Sequence, residues 1–167
     1  IDLLAPMARK VLVKVAISVT TLDPALARAM EPRAASPERR LATIARLAGA
    51  GIPVAVLVAP IIPAINDAEI ETILTRAHAA GAREAGYVML RLPLELRDLF
   101  SEWLVTHFPA KARHVLSLVR STREGKLYDP AFDKRMTGVG PYAWMVGRRF
   151  EVAATRLGDR KSTRLNS

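Results

Sequence analysis

Hydrophobic positions along the chain follow two different periods. Residues 10–20, KVLVKVAISVT, are rich in β-branched side chains and stop at Leu22-Asp23-Pro24, which predicts a strand over 11–19. Residues 54–58 (VAVLV) and 87–92 (YVMLRL) predict a second and a third strand. Between them the apolar positions recur at helical spacing. Leu41, Ile44, Ala45 and Ala48 share one face before Gly49 and Gly51, and Ile70, Ile73, Leu74 and Ala77 share another before Gly81. Asp23-Pro24 opens a short helix through Met30, and Ser36-Pro37-Glu38 offers an N-cap, a first-position proline and an early carboxylate. Strands alternating with crossover-length helices predict an α/β fold: parallel strands adjacent in chain order, with the intervening helices on one side.

From Leu94 onward the pattern is helical. Leu96, Leu99, Phe100, Trp103 and Leu104 form one amphipathic face, and Ala112, Val115, Leu116 and Val119 another. A last helix carries Tyr142, Met145, Val146, Phe150 and Ala153 on one side. The segment before it, REGKLYDPAFDKRMTGVGP, is turn-rich, yet Tyr128, Phe132 and Met136 are apolar for a solvated loop and predict packing over the ligand face. The chain therefore divides into 1–93 (strands and helices), 94–158 (a helical extension) and a tail.

The stretch VLVAPIIPAIND, residues 56–67, joins a buried strand to a helix start. Prolines cannot donate to a sheet ladder, so the strand is expected to end before Pro60, and Asn66 or Asp67 to accept from free N–H groups of the following helix. Ligands of parallel α/β folds bind at the loops after strand C-termini, which makes Pro60 to Asn66 a candidate site.

Composition narrows the classes. Half of the 167 residues are hydrophobic, enough for one substantial core and against disorder. No apolar run reaches membrane-spanning length and no signal peptide is seen, so a cytoplasmic protein with no membrane partner is expected. There is no cysteine, hence no disulfide or thiolate metal ligand within this stretch. His78, His107 and His114 lack metal-ligand spacing, and Asp23, Glu31 and Asp67 suit capping and helix-dipole roles. The formal charge of +9 points to an acidic partner such as nucleic acid, although Arg39, Arg40 and Arg46 read first as solvated faces. Only 5% of residues are aromatic, and Trp103 and Trp144 sit on apolar helix faces, so a stacking platform for bases is missing. The N-terminal IDLLAPMARK reads as the end of a helix, and a start within a domain is expected. Residues 159–167, DRKSTRLNS, match the translation of a common sequencing-library adapter and are expected to be a scar.

The strings AISVTTLDPALARAMEPRAASPERR, GIPVAVLVAPIIPAIND, AGYVMLRLPLE and LYDPAFDKRMTGVGPYA, in this order, resemble radical S-adenosylmethionine (SAM) proteins of the spore photoproduct lyase-like group, often labelled DNA repair photolyases. The resemblance implies the second half of a partial (β/α)6 barrel, its fourth to sixth strands, followed by C-terminal helices. Such proteins hold a [4Fe-4S] cluster through three cysteines in a CxxxCxxC-type loop and take an electron donor. With no cysteine here, the resemblance implies a piece lacking the cluster-binding half and inactive by itself.

By the same resemblance, Ser18 and Thr20 would bond the ribose or methionine part of SAM, the alternative being a helix cap. Pro60, Ile61, Ile62 and Asn66 would form an apolar wall against the adenine, the alternative being a plain strand and turn. Backbone near Leu90, Arg91 and Leu92 would bond the adenine edge, and Arg91 would either leave the barrel mouth or meet an acidic ligand. Two functions follow. One is a radical enzyme that in full length cleaves SAM reductively to a 5′-deoxyadenosyl radical acting on an unidentified substrate, nucleic acid among the candidates. The other is a noncatalytic basic α/β domain that binds nucleic acid.

Overall fold

The computed structural model describes residues 1–123 and 137–158. The expectations for Tyr128, Phe132, Met136 and the tail 159–167 lie outside the described residues. Three strands, β1 (Val15–Ser18), β2 (Val54–Ile61) and β3 (Glu84–Met89), form a sheet in the order β1-β2-β3 with both pairings parallel. Among the described residues seven α-helices accompany them: α1 (Leu4–Arg9), α2 (Pro24–Met30), α3 (Pro37–Gly49), α4 (Ile70–Ala79), α5 (Arg97–His107), α6 (Ala112–Ser121) and α7 (Gly140–Arg156). This is the expected α/β arrangement, with strands adjacent in chain order.

Capping fixes the two helices after β1 where the sequence places them. Asp23 Oδ1 accepts from the N–H groups of Ala25 (2.7 Å) and Leu26 (3.3 Å), and Ser36 Oγ accepts from Arg39 N at 3.4 Å, each with a proline opening its helix. α3 buries Leu41, Ile44 and Leu47, and α4 buries Ile70, Ile73, Leu74 and Ala77. Gly81 (φ 110°) ends α4 where α3 passes closest: a Cβ there would lie 2.5 Å from Ala48 Cβ.

Register decides which strand residues meet these helices. Ala16 pairs with Ala55, Ala55 with Glu84, and Leu57 with both Ser18 and Gly86. Val54, Val56, Val58, Ala85 and Met89 join α3, α4 and α7 residues in the main core, with Val15, Ile17 and Tyr87 packed against it. The intervening residues Ala16, Ser18, Leu57, Ala59, Glu84 and Val88 lie on the other face and retain exposure. A second cluster gathers Ile62 and Leu92 with Leu104 of α5 and Ala112, Val115 and Val119 of α6, at the carboxyl ends of the strands.

Several boundaries differ from expectation. β1 begins only at Val15, because Leu12 N folds back to Met7 O and Val11 takes φ 57°. β2 continues through Pro60 to Ile61: its pairing with β3 is irregular between Val58 and Ile61, and there a residue without an N–H fits. β3 is set three residues earlier than predicted, at Glu84–Met89. On α3, Leu47 rather than Ala45 turns inward. In α5 only Leu104 is buried, while Leu96 and Leu99 are exposed. α7 buries Ala143, Val146, Phe150 and Ala154, leaving Met145 and Trp144 outside.

Candidate functional site

The carboxyl ends of the three strands converge through side-chain bonds rather than through more sheet. At the end of β1, Ser18 Oγ donates to Ala59 O (2.9 Å) and Thr20 Oγ1 lies 3.1 Å from the same carbonyl and 3.2 Å from Glu31 Oε2. Neither hydroxyl caps a helix; Asp23 does that. Thr21 Oγ1 donates to Glu69 Oε1 and Leu22 N to Glu69 Oε2, both at 2.6 Å, so the start of α4 holds the β1 loop.

Asn66 was expected to cap a helix, and the structure gives it another task. It is 1% exposed and bonds in three directions: Oδ1 accepts from Ile62 N (2.7 Å), and Nδ2 donates to Thr20 O (2.8 Å) and Pro60 O (2.9 Å). The short 3-10 turn that follows, Asp67–Glu69, receives no side-chain cap from it. Asn66 thus staples the ends of β1 and β2 together, and a buried amide with three partners is costly to replace.

Ile61 also departs from expectation. The irregularity in β2 puts it with Val54, Val56 and Val58 in the main core, 0% exposed, so its side chain is unavailable as a wall for an adenine. Ile62 (2%) and Leu92 (2%) fill the second cluster, and Pro60 is half-buried. Leu90 N donates to Ile61 O at 2.9 Å, extending the β2–β3 ladder, and Arg91 is half-buried just beyond. The buried Arg123 donates through Nη2 to Met89 O and Leu90 O, both at 3.2 Å, holding the end of β3.

Beside the end of β1 lies a cavity of about 150 Å³, bordered by Thr20, Thr21, Arg28, Glu31, Ser36 and Arg40. Arg40 does not project into solvent as its helical position suggested: its side chain is only 15% exposed. Its guanidinium donates to Ser18 O (2.9 Å), Ala35 O (3.0 Å) and Glu31 Oε2 (2.8 Å). Glu31, expected at a capping position, is the carboxylate of this pair. No sequence spacing pointed to Glu31, Arg40, Glu69 or Arg123, because each meets its partners only across the fold. Among the described residues no group of His, Asp and Glu has the arrangement to hold a metal ion.

The matched family is consistent with this geometry. Residues 1–77 match the Radical SAM superfamily. The match covers β1, β2 and the loop between β2 and α4, and the superfamily in general implies SAM and a [4Fe-4S] cluster. Two relatives, the uncharacterized proteins Rv2578c of Mycobacterium tuberculosis and Mb2609c of Mycobacterium bovis, are each 33% identical over 122 residues, covering 72% of this chain and 36% of theirs. The chain thus spans about a third of the length of the curated relatives it matches. No solved structure matches it. No described helix is long and apolar enough to cross a membrane.

The residues present fit one half of what a Radical SAM site needs. With no cysteine in 167 residues, nothing here ligates a cluster through sulfur. Arg40 and Glu31, however, set a cation and an anion 2.8 Å apart beside a cavity, a charge pair complementary to the carboxylate and ammonium of an amino-acid moiety.

Proposed function

We propose that the carboxyl edge of this sheet is the SAM-orienting surface of a radical SAM enzyme whose cluster is held by cysteines outside these 167 residues. The observation that carries the reading is the Arg40–Glu31 pair next to Thr20 inside the matched segment. Arg40 would face the methionine carboxylate and Glu31 the ammonium. Ser18 and Thr20 would meet the polar part of the ribose, the half-buried Pro60 the apolar face of the base, and the backbone at Leu90, Arg91 and Leu92 its edge. Ile62 and Asn66 act one step back, by fixing that loop. Bound SAM, with a reduced cluster and an electron donor, supplies hydrogen-atom abstraction; the residues here bind, orient and exclude water.

The finer assignment, to the spore photoproduct lyase-like branch acting on nucleic acid, rests on the resemblance of the strings around Ser18, Pro60 and Arg91 and on the +9 charge. That charge is dispersed: Lys14, Arg76, Arg148 and Arg149 each meet a carboxylate, which supports a substrate contact less well than a continuous stripe does.

The test is 5′-deoxyadenosine formation by the full-length protein, anaerobic and reduced, with iron content measured alongside. Arg40→Met and Glu31→Gln should each raise the KM for SAM at least about tenfold, the size of a lost charge-assisted hydrogen bond, at unchanged iron content. A protein with a loaded cluster that makes no 5′-deoxyadenosine, yet binds oligonucleotides, would support the noncatalytic basic domain instead.

A further inference from the structure

The loop that carries Asn66 is held from outside the matched segment, by α7. That helix lies tight against β3, since a Cβ on Gly147 would sit 2.8 Å from Tyr87 Oη. One turn and a half earlier on α7, Tyr142 reaches the loop. Its hydroxyl accepts from Ala64 N (3.2 Å) and donates to Asp67 Oδ2 (2.6 Å), so one oxygen ties the two ends of a four-residue segment. Two turns after Tyr142, Arg149 makes a two-pronged contact with Glu71 (2.8 and 2.7 Å) and comes within 3.9 Å of Asp67 Oδ2. Ala64 itself takes φ 60°, a conformation that an L-residue adopts only when its surroundings impose it.

These contacts bracket Asn66. Ala64 and Asp67 flank it, and Asn66 in turn spaces Thr20 O from Pro60 O at the mouth of the sheet. We propose that Tyr142 is a positioning residue: from α7 it fixes the backbone of residues 64–67, and through Asn66 it sets the spacing of the β1 and β2 ends that receive the ligand. Nothing in residues 1–77 replaces it, because its oxygen serves as acceptor and donor at once from a rigid ring that a phenylalanine would match in shape and not in chemistry. The functional half of the inference rests on the SAM reading; the structural half does not.

Hydrogen exchange on this 167-residue chain tests the structural half. Tyr142→Phe should leave the far-UV spectrum unchanged and speed exchange of the Ala64 amide about tenfold, as loss of a single protecting hydrogen bond does. Asp67→Asn keeps an acceptor for the hydroxyl and should stay close to the parent, and Arg148→Gln, on the same helix but paired with exposed Glu151, should match it. In the full-length, cluster-bearing protein, Tyr142→Phe should raise the KM for SAM about fivefold with kcat at saturating SAM unchanged, since a displaced loop weakens binding while the chemistry stays elsewhere. Unchanged Ala64 exchange in Tyr142→Phe overturns the clamp. Faster exchange with a parental KM overturns its role in positioning. A parent protein that binds no SAM defeats the reading on which that role rests, and the exchange result still decides the clamp.

Discussion

The two faces of the sheet are built from the same three strands and obey opposite rules. Val54, Val56, Val58 and Ile61 of β2 are at most 3% exposed beneath α3, α4 and α7, within one continuous hydrophobic cluster. On the other face most side chains are small or polar, Ala16 and Ser18 on β1, Ala55 and Ala59 on β2, Glu84 and Gly86 on β3, with Leu57 and Val88 the larger apolar ones. Strands of a parallel sheet covered on both sides read as continuous hydrophobic runs, and β2 does so in sequence. What separates its faces is size. The helix-facing positions are β-branched and fill space, whereas the opposite ones are mostly too small to do so and leave the carbonyls of Ser18 and Ala59 within reach of polar groups.

The largest expected effect breaks this asymmetry from the buried side. Ile61→Asp places a carboxylate with no partner in the main core, at a cost of several kcal/mol, and the cooperative thermal transition should be lost. Ala16→Asp, on the exposed side of the neighbouring strand, should move the transition by no more than about 0.5 kcal/mol. Equal losses from the two would show that the open face is packed in solution. Because Ile61→Asp destroys the fold, it is no probe of ligand contact.

Next in size is Asn66→Ala, which strands Ile62 N, Thr20 O and Pro60 O in a buried site. Each orphaned group costs about 1–3 kcal/mol, so a loss of about 3 kcal/mol is expected from urea denaturation, with the slope m unchanged. A loss below 1 kcal/mol would mean that water replaces the amide and that the strand ends are not stapled.

A smaller effect separates Tyr142 from phenylalanine through pH. Burial first, and then the bond to Asp67, push the Tyr142 hydroxyl up to about 12. A group whose folded pKa is raised contributes stability below its ordinary value near 10 and loses it as pH climbs toward 12. The parent should therefore exceed Tyr142→Phe by about 1 kcal/mol at pH 8, and the difference should shrink between pH 10 and 12. A difference that is flat across that range would remove the Asp67 bond from the account.

The pair Arg149–Glu71 acts at the other end of the scale. The Arg149 guanidinium beside Glu71 holds its carboxyl below the usual carboxylate range, so its contribution is present at neutral pH and is lost as pH falls through the depressed folded value. Glu71 is 45% exposed, and solvent screening keeps that contribution within about 1 kcal/mol. Glu71→Gln should lower the melting temperature slightly at pH 7 and converge with the parent in acid; a gap that widens in acid would reverse the sign.

Legibility in the sequence tracked how local each cause is. Asp23 and Ser36 cap helices that begin within three residues of them, and Ile70, Ile73, Leu74 and Ala77 bury themselves by their own spacing, so these elements stand where the pattern put them. Pro60 misled, because its missing N–H matters only if the neighbouring strand needs it, and β3 skips that position. The strand then ran on by three residues and carried Ile61 into the core. Leu96 and Leu99 misled in the other direction: helical spacing gave them an apolar face, yet nothing among the described residues covers it. At the candidate site, Asn66 was found as a residue but given the wrong partners. The sequence suggests a solvated face for Arg40 and a capping or helix-dipole role for Glu31, because their pairing depends on how the chain between α2 and α3 turns back over β1.

The smallest predicted effect lies on the open face itself. Lys14 Nζ meets Glu84 Oε2 at 2.7 Å, although Lys14 precedes β1 and Glu84 begins β3, with β2 between them. The reach is possible because the residues in between, Ala16 and its register partner Ala55, present only methyl groups. Lys14 is 52% exposed and Glu84 31%, so the pair stands in a high-dielectric setting and is worth roughly 0.2–1 kcal/mol. A double-mutant cycle of Lys14→Met and Glu84→Gln should give a coupling in that range in low salt, fading toward zero near 1 M NaCl, where the screening length is about 3 Å. Replacing Ala55 by Leu in the same background should abolish the coupling by standing between the two charges. A coupling that persists at high salt, or survives a leucine at 55, would place the pair in a covered environment and erase the contrast between the two faces.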